Sequence, residues 1–159
     1  MRIGQGFDVH RLVAGRTLWL GGVEVDYERG LEGHSDGDVL LHAVADAILG
    51  AMGEGDLGTH FPSSDSRWHG VASREILGEV VQRMAARGLG IEHLDATLIA
   101  EAPRLSPYQD AMRTVLGEVL GLRGTSLNLK ITSTDGMGAI GRGEGIAALA
   151  VVLVGDTNE

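Results

Sequence analysis

Three residues, Asp8, His10 and His42, constrain the fold of this 159-residue chain most, because together they have the composition of one metal site. Asp8 and His10 form a D-x-H pattern in the opening segment 1–10. Side chains two residues apart on an extended strand point to the same face, so both can reach one ion. His42 follows in segment 35–42, which is typical of the start of a helix. Two imidazoles and one carboxylate with an open fourth position are the ligands of a catalytic zinc ion, and the lack of Cys excludes a closed thiolate site.

Length and charge limit the classes of protein to which the chain can belong. The length predicts one domain spanning 1–159, and the hydrophobic fraction of 43% is enough for a proper core. No stretch approaches the roughly 20 apolar residues of a membrane span, and no leader precedes the first strand, so we expect a soluble, cytoplasmic protein. The net charge of -9 argues against nucleic acid or an anionic membrane as partner. A small phosphorylated substrate stays compatible, if metal ions, backbone N–H groups and a few Arg side chains hold it.

The apolar periodicity predicts a sequence of alternating strands and helices. It indicates a hairpin around Gly21-Gly22, a first helix capped by Ser35 with Asp38 in an approximate capping box, and left-handed glycines after the later helices at Gly88 and Gly121. The remaining predicted elements are a helix end near Gly53 or Gly55, helices over about 73–87 and after 106–107, and strands over 94–100, 127–132 and 146–154. We predict an α+β fold (an α/β sandwich) in which helices pack on one face of a four-stranded mixed sheet.

Polar residues around the first predicted helix are candidates for ligand binding, and each has a simpler alternative. Ser35 stands where a helix N-terminus favours phosphate, but it could be an N-cap only. His34 could donate a hydrogen bond to a phosphoryl oxygen or lie in solvent. Asp46, one turn after His42, could accept the distal ring N–H of that imidazole, or it could be a solvated acid on the helix surface.

Two further segments carry polar groups next to predicted strands. Segment 130–135 ends a strand with three hydroxyls and Asp135, which suits phosphate oxygens and a hard ion such as Mg²⁺, although a Ser- and Thr-rich turn is the simpler alternative. Segment 141–145 is rich in Gly but lacks the Lys-Ser/Thr of a P-loop and precedes a strand. We therefore predict a packed turn or bulge there, with Arg142 and Glu144 making structural or intersubunit contacts.

In this order the motifs resemble the 2-C-methyl-D-erythritol 2,4-cyclodiphosphate synthase family over nearly the whole chain. The motifs that carry the resemblance are Met1-Arg-Ile-Gly-Gln-Gly-Phe-Asp-Val-His10, Gly33-His-Ser-Asp-Gly-Asp38 with His42, Gly55-Asp-Leu-Gly58 with Phe61-Pro62, Ala100-Glu-Ala-Pro-Arg104 and Gly141-Arg-Gly-Glu-Gly-Ile146. The resemblance implies an enzyme of the non-mevalonate route to isoprenoid precursors. It also implies a homotrimer with active sites between neighbouring subunits, and a cytidine diphosphate substrate that is cyclised with release of CMP.

Carried over position by position, the resemblance implies two metal sites and a set of substrate contacts. Asp8, His10 and His42 would bind Zn²⁺ or another divalent ion, and Asp135 would serve a second ion, Mg²⁺ or Mn²⁺, that bridges the substrate diphosphate. His34 and Ser133 would be the catalytic hydrogen-bond donors. The implied substrate contacts are Asp8, His10, His34, Ser35, Asp56, Leu57, Gly58, Phe61, Pro62, Ser63, Ser64, Asp65, Ala100, Pro103, Arg104, Leu105, Ser106, Thr132, Ser133, Thr134, Asp135 and Arg142.

Two other functions compete with this interpretation. A metal-dependent phosphohydrolase could use the same three ligands to direct water at the diphosphate, and its product would be open-chain. A trimeric binding protein with a purely structural zinc would bind a nucleotide or isoprenoid phosphate without turnover. The identity of the product separates all three.

Overall fold

The computed structural model describes residues 1–157, in which helices cover one face of a five-stranded sheet. Residues 158 and 159 of the predicted domain lie outside the described residues. The strands are β1 (Arg2–Ala14), β2 (Leu18–Leu20), β3 (Val23–Val25), β4 (Arg29–Leu31), β5 (Leu89–Ile99), β6 (Leu127–Thr132) and β7 (Gly145–Asp156). The helices are α1 (Val39–Met52), α2 (Leu57–His60), α3 (Ser73–Ala86), α4 (Gln109–Leu120) and α5 (Gly138–Gly141). Within residues 1–157, no helix combines the length and apolar character needed to cross a bilayer.

The main sheet is mixed, as predicted, but it has five strands in the order β4-β1-β7-β5-β6. β5 and β6 run parallel, and the other neighbours are antiparallel. The prediction of four strands is wrong because β4 has only three residues, too few to show an alternating pattern. It pairs with the last residues of β1, where Leu12 lies opposite Leu31. β2 and β3 form the separate hairpin predicted around Gly21-Gly22.

Two glycines of β1 determine how closely α1 packs on the sheet. A Cβ atom on Gly4 would lie 1.8 Å from the Ala47 carbonyl oxygen, and one on Gly6 would lie 1.9 Å from the Ala43 oxygen. Both distances are far below van der Waals contact, so only glycine permits this approach. The close approach brings α1 within hydrogen-bonding reach of the side chains on the same face of β1.

The start of α1 differs from the prediction. Asp38, not Ser35, is the N-cap, and its fully buried carboxylate accepts the Leu41 N–H at 3.1 Å. The same carboxylate accepts the N–H groups of Gly21 at 2.9 Å and Gly22 at 2.7 Å. It therefore joins the β2–β3 turn to the helix. Burial raises the pKa of Asp38, although these three hydrogen bonds oppose the shift.

The predicted helix ends are confirmed, whereas one helix start is displaced. Gly53, Gly88 and Gly121 all have positive φ angles, and Gly53 and Gly121 are the C-caps of α1 and α4. The predicted helix after 106–107 begins later, because Ser106–Tyr108 forms a separate 3₁₀ turn and α4 starts at Gln109.

The face of β1 opposite the helices is apolar and exposed. Ile3, Phe7 and Val9 project from it with 73%, 53% and 50% of their surface accessible, and Val151 of the neighbouring β7 is 45% accessible. Such a strip of exposed apolar side chains, interrupted on β1 only by Gln5, is unusual on the outside of a monomer. Farther across the same sheet, β6 presents Asn128 and Lys130, so the apolar character is confined to the β1–β7 side.

Candidate metal centre and cleft

Asp8, His10 and His42 converge as the sequence predicts. His10 Nε2 lies 2.8 Å and His42 Nδ1 lies 3.0 Å from Asp8 Oδ2, and the two ring nitrogens are 3.3 Å apart. Within the described residues, this trio is the one group of acidic and His side chains whose ligand atoms lie close enough to hold an ion. Ligand atoms bound about 2.0–2.1 Å from a tetrahedral zinc lie about 3.3 Å apart. The donor set therefore fits a divalent metal with only small displacements.

Electrostatics keep the Asp8 carboxyl in the form that a metal requires. Burial alone would raise its pKa, but the close contacts with the His10 and His42 rings outweigh burial and hold the pKa well below its usual range. Burial would lower the pKa of His10, and this is outweighed by its hydrogen bonds to Asp8 and to the Glu32 carbonyl, so the pKa is raised. Asp8 thus remains an ionised, acceptor-only ligand.

The nitrogens that point away from the centre have partners that the sequence did not reveal. His10 Nδ1 contacts the Glu32 carbonyl oxygen. His42 Nε2 lies 2.9 Å from Ser73 Oγ and 3.2 Å from Ser35 Oγ. Partners of this kind fix the tautomer of a metal-binding imidazole.

Asp46 does not have the role that its spacing suggested. The sequence left two roles open, an acceptor for the distal N–H of His42 or a solvated acid. Neither is found, because the half-buried carboxylate accepts the Leu57 N–H at 2.7 Å. Burial raises the pKa of Asp46, and the Leu57 hydrogen bond opposes that shift. Asp46 therefore connects α1 to the start of α2.

Segment 33–35 is held against the metal centre by Arg16, a side chain whose role no sequence pattern indicated. Arg16 donates to the carbonyl oxygens of Gly33 at 3.0 Å and Ser35 at 2.8 Å. Ser35 is buried, and its hydroxyl accepts the Gly37 N–H at 3.2 Å. His34 lies between these anchored residues and lines the cleft.

A cleft of about 390 Å³ opens above the metal centre. It contains most of the residues predicted to contact substrate on this side, including the short α2 segment and part of the loop that follows it. Among the residues of its lining that the sequence did not predict are Trp68 and His69. The lining residues are Asp8, His10, Gly33, His34, Ser35, His42, Asp46, Asp56, Leu57, Gly58, Phe61, Ser63, Asp65, Trp68, His69 and Ile76. Pro62 and Ser64 belong to the same loop but are not part of this lining.

Most of the other predicted contacts line a second cavity of about 440 Å³ that shares no residue with the first, whereas Thr134, Asp135 and Arg142 are not part of its lining. Its lining includes Ala100, Pro103, Arg104, Leu105, Ser106, Thr132 and Ser133. Arg104 Nε donates to Ser106 Oγ at 3.0 Å. Just beyond the lining, Asp135 has a left-handed backbone with φ of 52° and its carboxylate accepts the Ser133 hydroxyl at 3.2 Å.

Strand order keeps the two cavities apart within one chain. Asp8 pairs with Ala148 of β7, Ala148 with Leu98 of β5, and Leu98 with Ile131 of β6. Three strand spacings separate Asp8 from Ile131, which is about 14 Å. Residues of the β6 end therefore do not reach the metal centre of their own chain.

Arg142 and Glu144, for which the sequence predicted structural or intersubunit contacts, follow α5 and pair with each other. Arg142 Nε lies 2.6 Å from Glu144 Oε1, and both side chains are exposed. The turn leads into β7 and is not part of either cavity lining described above.

Comparison with known proteins gives consistent matches over the full fold. Residues 1–155 match the YgbB family. The 2-C-methyl-D-erythritol 2,4-cyclodiphosphate synthase of Desulfatibacillum aliphaticivorans is 53% identical over 154 residues, covering 97% of this chain and 99% of that protein. The protein of the same name from Alkalilimnicola ehrlichii is 56% identical over 155 residues, covering 97% and 94%. A solved structure of 2C-methyl-D-erythritol-2,4-cyclodiphosphate synthase in a CDP-bound form is 36% identical, with a TM-score of 0.90 and coverage of 97% and 100%.

Proposed function

The chain belongs to the YgbB family, and from this membership we propose that it makes 2-C-methyl-D-erythritol 2,4-cyclodiphosphate and CMP from 4-diphosphocytidyl-2-C-methyl-D-erythritol 2-phosphate. It would act in the non-mevalonate route to isoprenoid precursors, as one catalytic domain over 1–159 in the cytoplasm. One observation carries the proposal. The Asp8, His10 and His42 trio opens into a cleft that also contains His34, Ser35 and Asp56.

The reaction needs alignment and charge neutralisation more than covalent help from the protein. A 2-phosphate oxygen attacks the β-phosphorus of the same molecule, and the bond from that phosphorus to the bridging oxygen breaks, so CMP leaves with the bridging oxygen. The attacking phosphate is already ionised near neutral pH, so no general base is required. Holding the reacting groups of one bound molecule in line can lower the barrier by about 7–11 kcal/mol.

The residues of the first cleft would bind and orient the reacting phosphates. A divalent ion such as Zn²⁺ on Asp8, His10 and His42 would polarise a phosphoryl oxygen and disperse negative charge. His34, fixed by its anchored neighbours, would donate a hydrogen bond to the same group. Ser35 would contact the phosphate or the erythritol from the position that Arg16 stabilises. These groups also explain how a chain of net charge -9 can hold a polyanion.

The sugar and nucleotide parts would occupy different elements. Asp56, Leu57 and Gly58 at α2 would contact the erythritol hydroxyls, with the segment 61–65 closing over them. The cavity of Ala100 to Ser106 would hold the cytidine, with Arg104 towards the phosphates. The hydroxyls of Thr132, Ser133 and Thr134 would bind the diphosphate, Ser133 as a catalytic donor. Asp135 would hold Mg²⁺ or Mn²⁺, which would neutralise negative charge on the diphosphate. Arg142 is proposed as a further contact once it leaves Glu144.

We propose a homotrimer in which neighbouring copies complete each active site. The separation of about 14 Å between the metal centre and the β6 end supports this arrangement, because one substrate molecule must contact both. The exposed apolar strip formed by Ile3, Phe7, Val9 and Val151 supports it as well, since burying it between copies removes apolar surface from water.

Phosphorus NMR of the products tests the proposed function. The protein is incubated with the diphosphocytidyl substrate, Zn²⁺ and Mg²⁺, beside Asp8→Ala and the control Asp110→Ala, which changes an exposed carboxylate on α4. We expect CMP and a cyclic diphosphate from the wild type and the control, and neither from Asp8→Ala. CMP with an uncyclised phosphate would indicate a phosphohydrolase instead. Binding without turnover would indicate a binding protein.

A further inference from the structure

A hydrogen-bonded group made of one residue of α3 and one residue of the loop before α1 contacts His42 on the side away from the metal centre. The group consists of Ser73, the first residue of α3, and Asp36, and it faces His42. Ser73 has 1% of its surface accessible, so its hydroxyl has no access to bulk water. A buried hydroxyl at this position must find its partners within the protein.

The contact with Asp36 determines the direction of the hydrogen bonds of the Ser73 hydroxyl, which also lies 3.2 Å from Ser35 Oγ. The Ser73 hydroxyl contacts Asp36 Oδ1, and the Ser73 backbone N–H donates to Asp36 Oδ2 at 3.0 Å. An ionised carboxylate can only accept, so the Ser73 hydroxyl donates its proton to Asp36. The Ser73 oxygen is then free to accept the Nε2–H of His42 at 2.9 Å.

This order of donors leaves the other His42 nitrogen ready for a metal. With the proton on Nε2, Nδ1 keeps its lone pair, and Nδ1 is the atom that lies 3.3 Å from His10 Nε2 and 3.0 Å from Asp8 Oδ2. The negative charge of Asp36 makes the Ser73 oxygen a stronger acceptor and the imidazole a better ligand. Asp36 is itself fixed, because Oδ1 also accepts the Asp38 N–H at 3.1 Å.

We infer that Ser73 and Asp36 are positioning residues for the metal centre, forming a relay from the Asp36 carboxylate through the Ser73 hydroxyl to His42. The relay sets the tautomer and orientation of His42 and so the affinity of the Asp8, His10 and His42 trio for a divalent ion. It also ties the start of α3 to the metal. Ser35, at 3.2 Å from His42 Nε2, is the longer and weaker of the two hydroxyl contacts.

The inference rests on the proposed function only in requiring that the trio binds a divalent ion. Its test needs no turnover. Zn²⁺ affinity is measured by competition with a chromophoric chelator for the wild type, Ser73→Ala, Ser73→Thr, Asp36→Asn and the control Ser126→Ala, in the distant 3₁₀ turn before β6. Failure of the wild type to bind Zn²⁺ would contradict the proposed function as well, whereas equal binding by all variants would contradict the relay alone.

We expect Ser73→Ala to weaken Zn²⁺ binding on the order of 10–100-fold, the range for partners of metal-bound His. Asp36→Asn, which keeps an acceptor oxygen but loses the charge, should fall between the wild type and Ser73→Ala. Ser73→Thr should recover affinity relative to Ser73→Ala, and Ser126→Ala should match the wild type. If Ser73→Ala does not fold, the Zn²⁺ affinity of Asp36→Asn tests the relay: weaker binding than the wild type supports it, and equal binding contradicts it.

Nitrogen-15 NMR of labelled histidine in the Zn²⁺ form gives an independent measurement. The wild type should show His42 protonated at Nε2 with slow solvent exchange, and Ser73→Ala should show faster exchange at that proton. Unchanged Zn²⁺ affinity in Ser73→Ala, even with lower stability of the metal-free protein, would overturn the inference and reduce Ser73 to a residue that stabilises α3.

Discussion

His42 and Asp46 lie one turn apart on α1 and line the same cleft, where His42 belongs to the metal centre and Asp46 positions the start of α2. His42 contributes Nδ1 to the metal centre, whereas Asp46 fixes the backbone of Leu57 at 2.7 Å. The remaining residues of α1 are apolar or Gly, so the only two polar side chains of this buried helix both face the cleft. One rigid element thus positions both the metal ligand and the segment proposed to contact the erythritol.

Replacement of Asp46 should separate these two roles. Asp46→Ala leaves the Leu57 N–H without its acceptor and loosens the start of α2, at a cost of about 1–3 kcal/mol for a buried donor. We expect KM for the diphosphocytidyl substrate to rise about tenfold, while Zn²⁺ affinity stays within twofold of wild type. Steady-state kinetics and chelator competition measure the two quantities. A fall in Zn²⁺ affinity with unchanged KM would instead assign Asp46 to the metal.

The packing of α1 on β1 should be sensitive to a single methyl group. Gly6→Ala places a Cβ atom 1.9 Å from the Ala43 oxygen, so the helix must move away from Asp8. We expect a loss of about 1–3 kcal/mol or more in the free energy of unfolding and weaker Zn²⁺ binding. Gly78→Ala, in the interior of α3 with open space around it, should gain about 0.5–1 kcal/mol. Urea denaturation of the metal-free proteins measures the free energy of unfolding of both variants. Equal changes for Gly6→Ala and Gly78→Ala would contradict the packing argument.

A charge on the exposed apolar strip should dissociate the proposed trimer. Val151 lies on β7 opposite Gln5 of β1, in the middle of that strip. Burial of an unpaired carboxylate there is unfavourable, so Val151→Glu should give a folded monomer that retains Zn²⁺ affinity and has lost activity. Thr114→Glu, on the exposed side of α4, adds the same charge elsewhere and should remain trimeric. Analytical ultracentrifugation decides, and a trimeric Val151→Glu protein would exclude this face as the interface.

Mixed oligomers should recover activity if two copies share each site. Asp8→Ala lacks the metal centre, and Ser133→Ala lacks a donor whose removal we expect to cost about 10²–10³ in kcat. The two variants are coexpressed in equal amounts. In a cyclic assembly, about a quarter of the sites should then combine an intact metal centre from one copy with an intact Ser133 from its neighbour, which restores about a quarter of wild-type activity. Activity no greater than the sum of the separate variants would indicate that each site lies within one chain.

Local patterns predicted the elements whose cause is local. The D-x-H alternation placed Asp8 and His10 on one face of β1, and glycine preferences located the ends of α1 and α4. The start of α1 was misjudged because Ser35 and Asp38 both suit an N-cap, and the choice depends on where the chain turns at Gly37, which has φ of 77°.

Features that depend on contacts distant in sequence were not predictable in the same way. Ser73 and Asp36 are 37 positions apart, and neither sits in a pattern that signals the other. β4 carries three residues and is identified only by its pairing with the end of β1. The separation of the two cavities follows from the strand order, which no single segment encodes.

The most direct test of the account is mass spectrometry of the products formed in H₂¹⁸O. Attack by the 2-phosphate of the same molecule consumes no water, so the account predicts that neither the cyclic diphosphate nor CMP contains ¹⁸O. Formation of an open-chain phosphate in place of the cyclic diphosphate, with one ¹⁸O atom in that phosphate or in CMP, would show that water is the nucleophile and would contradict this mechanism.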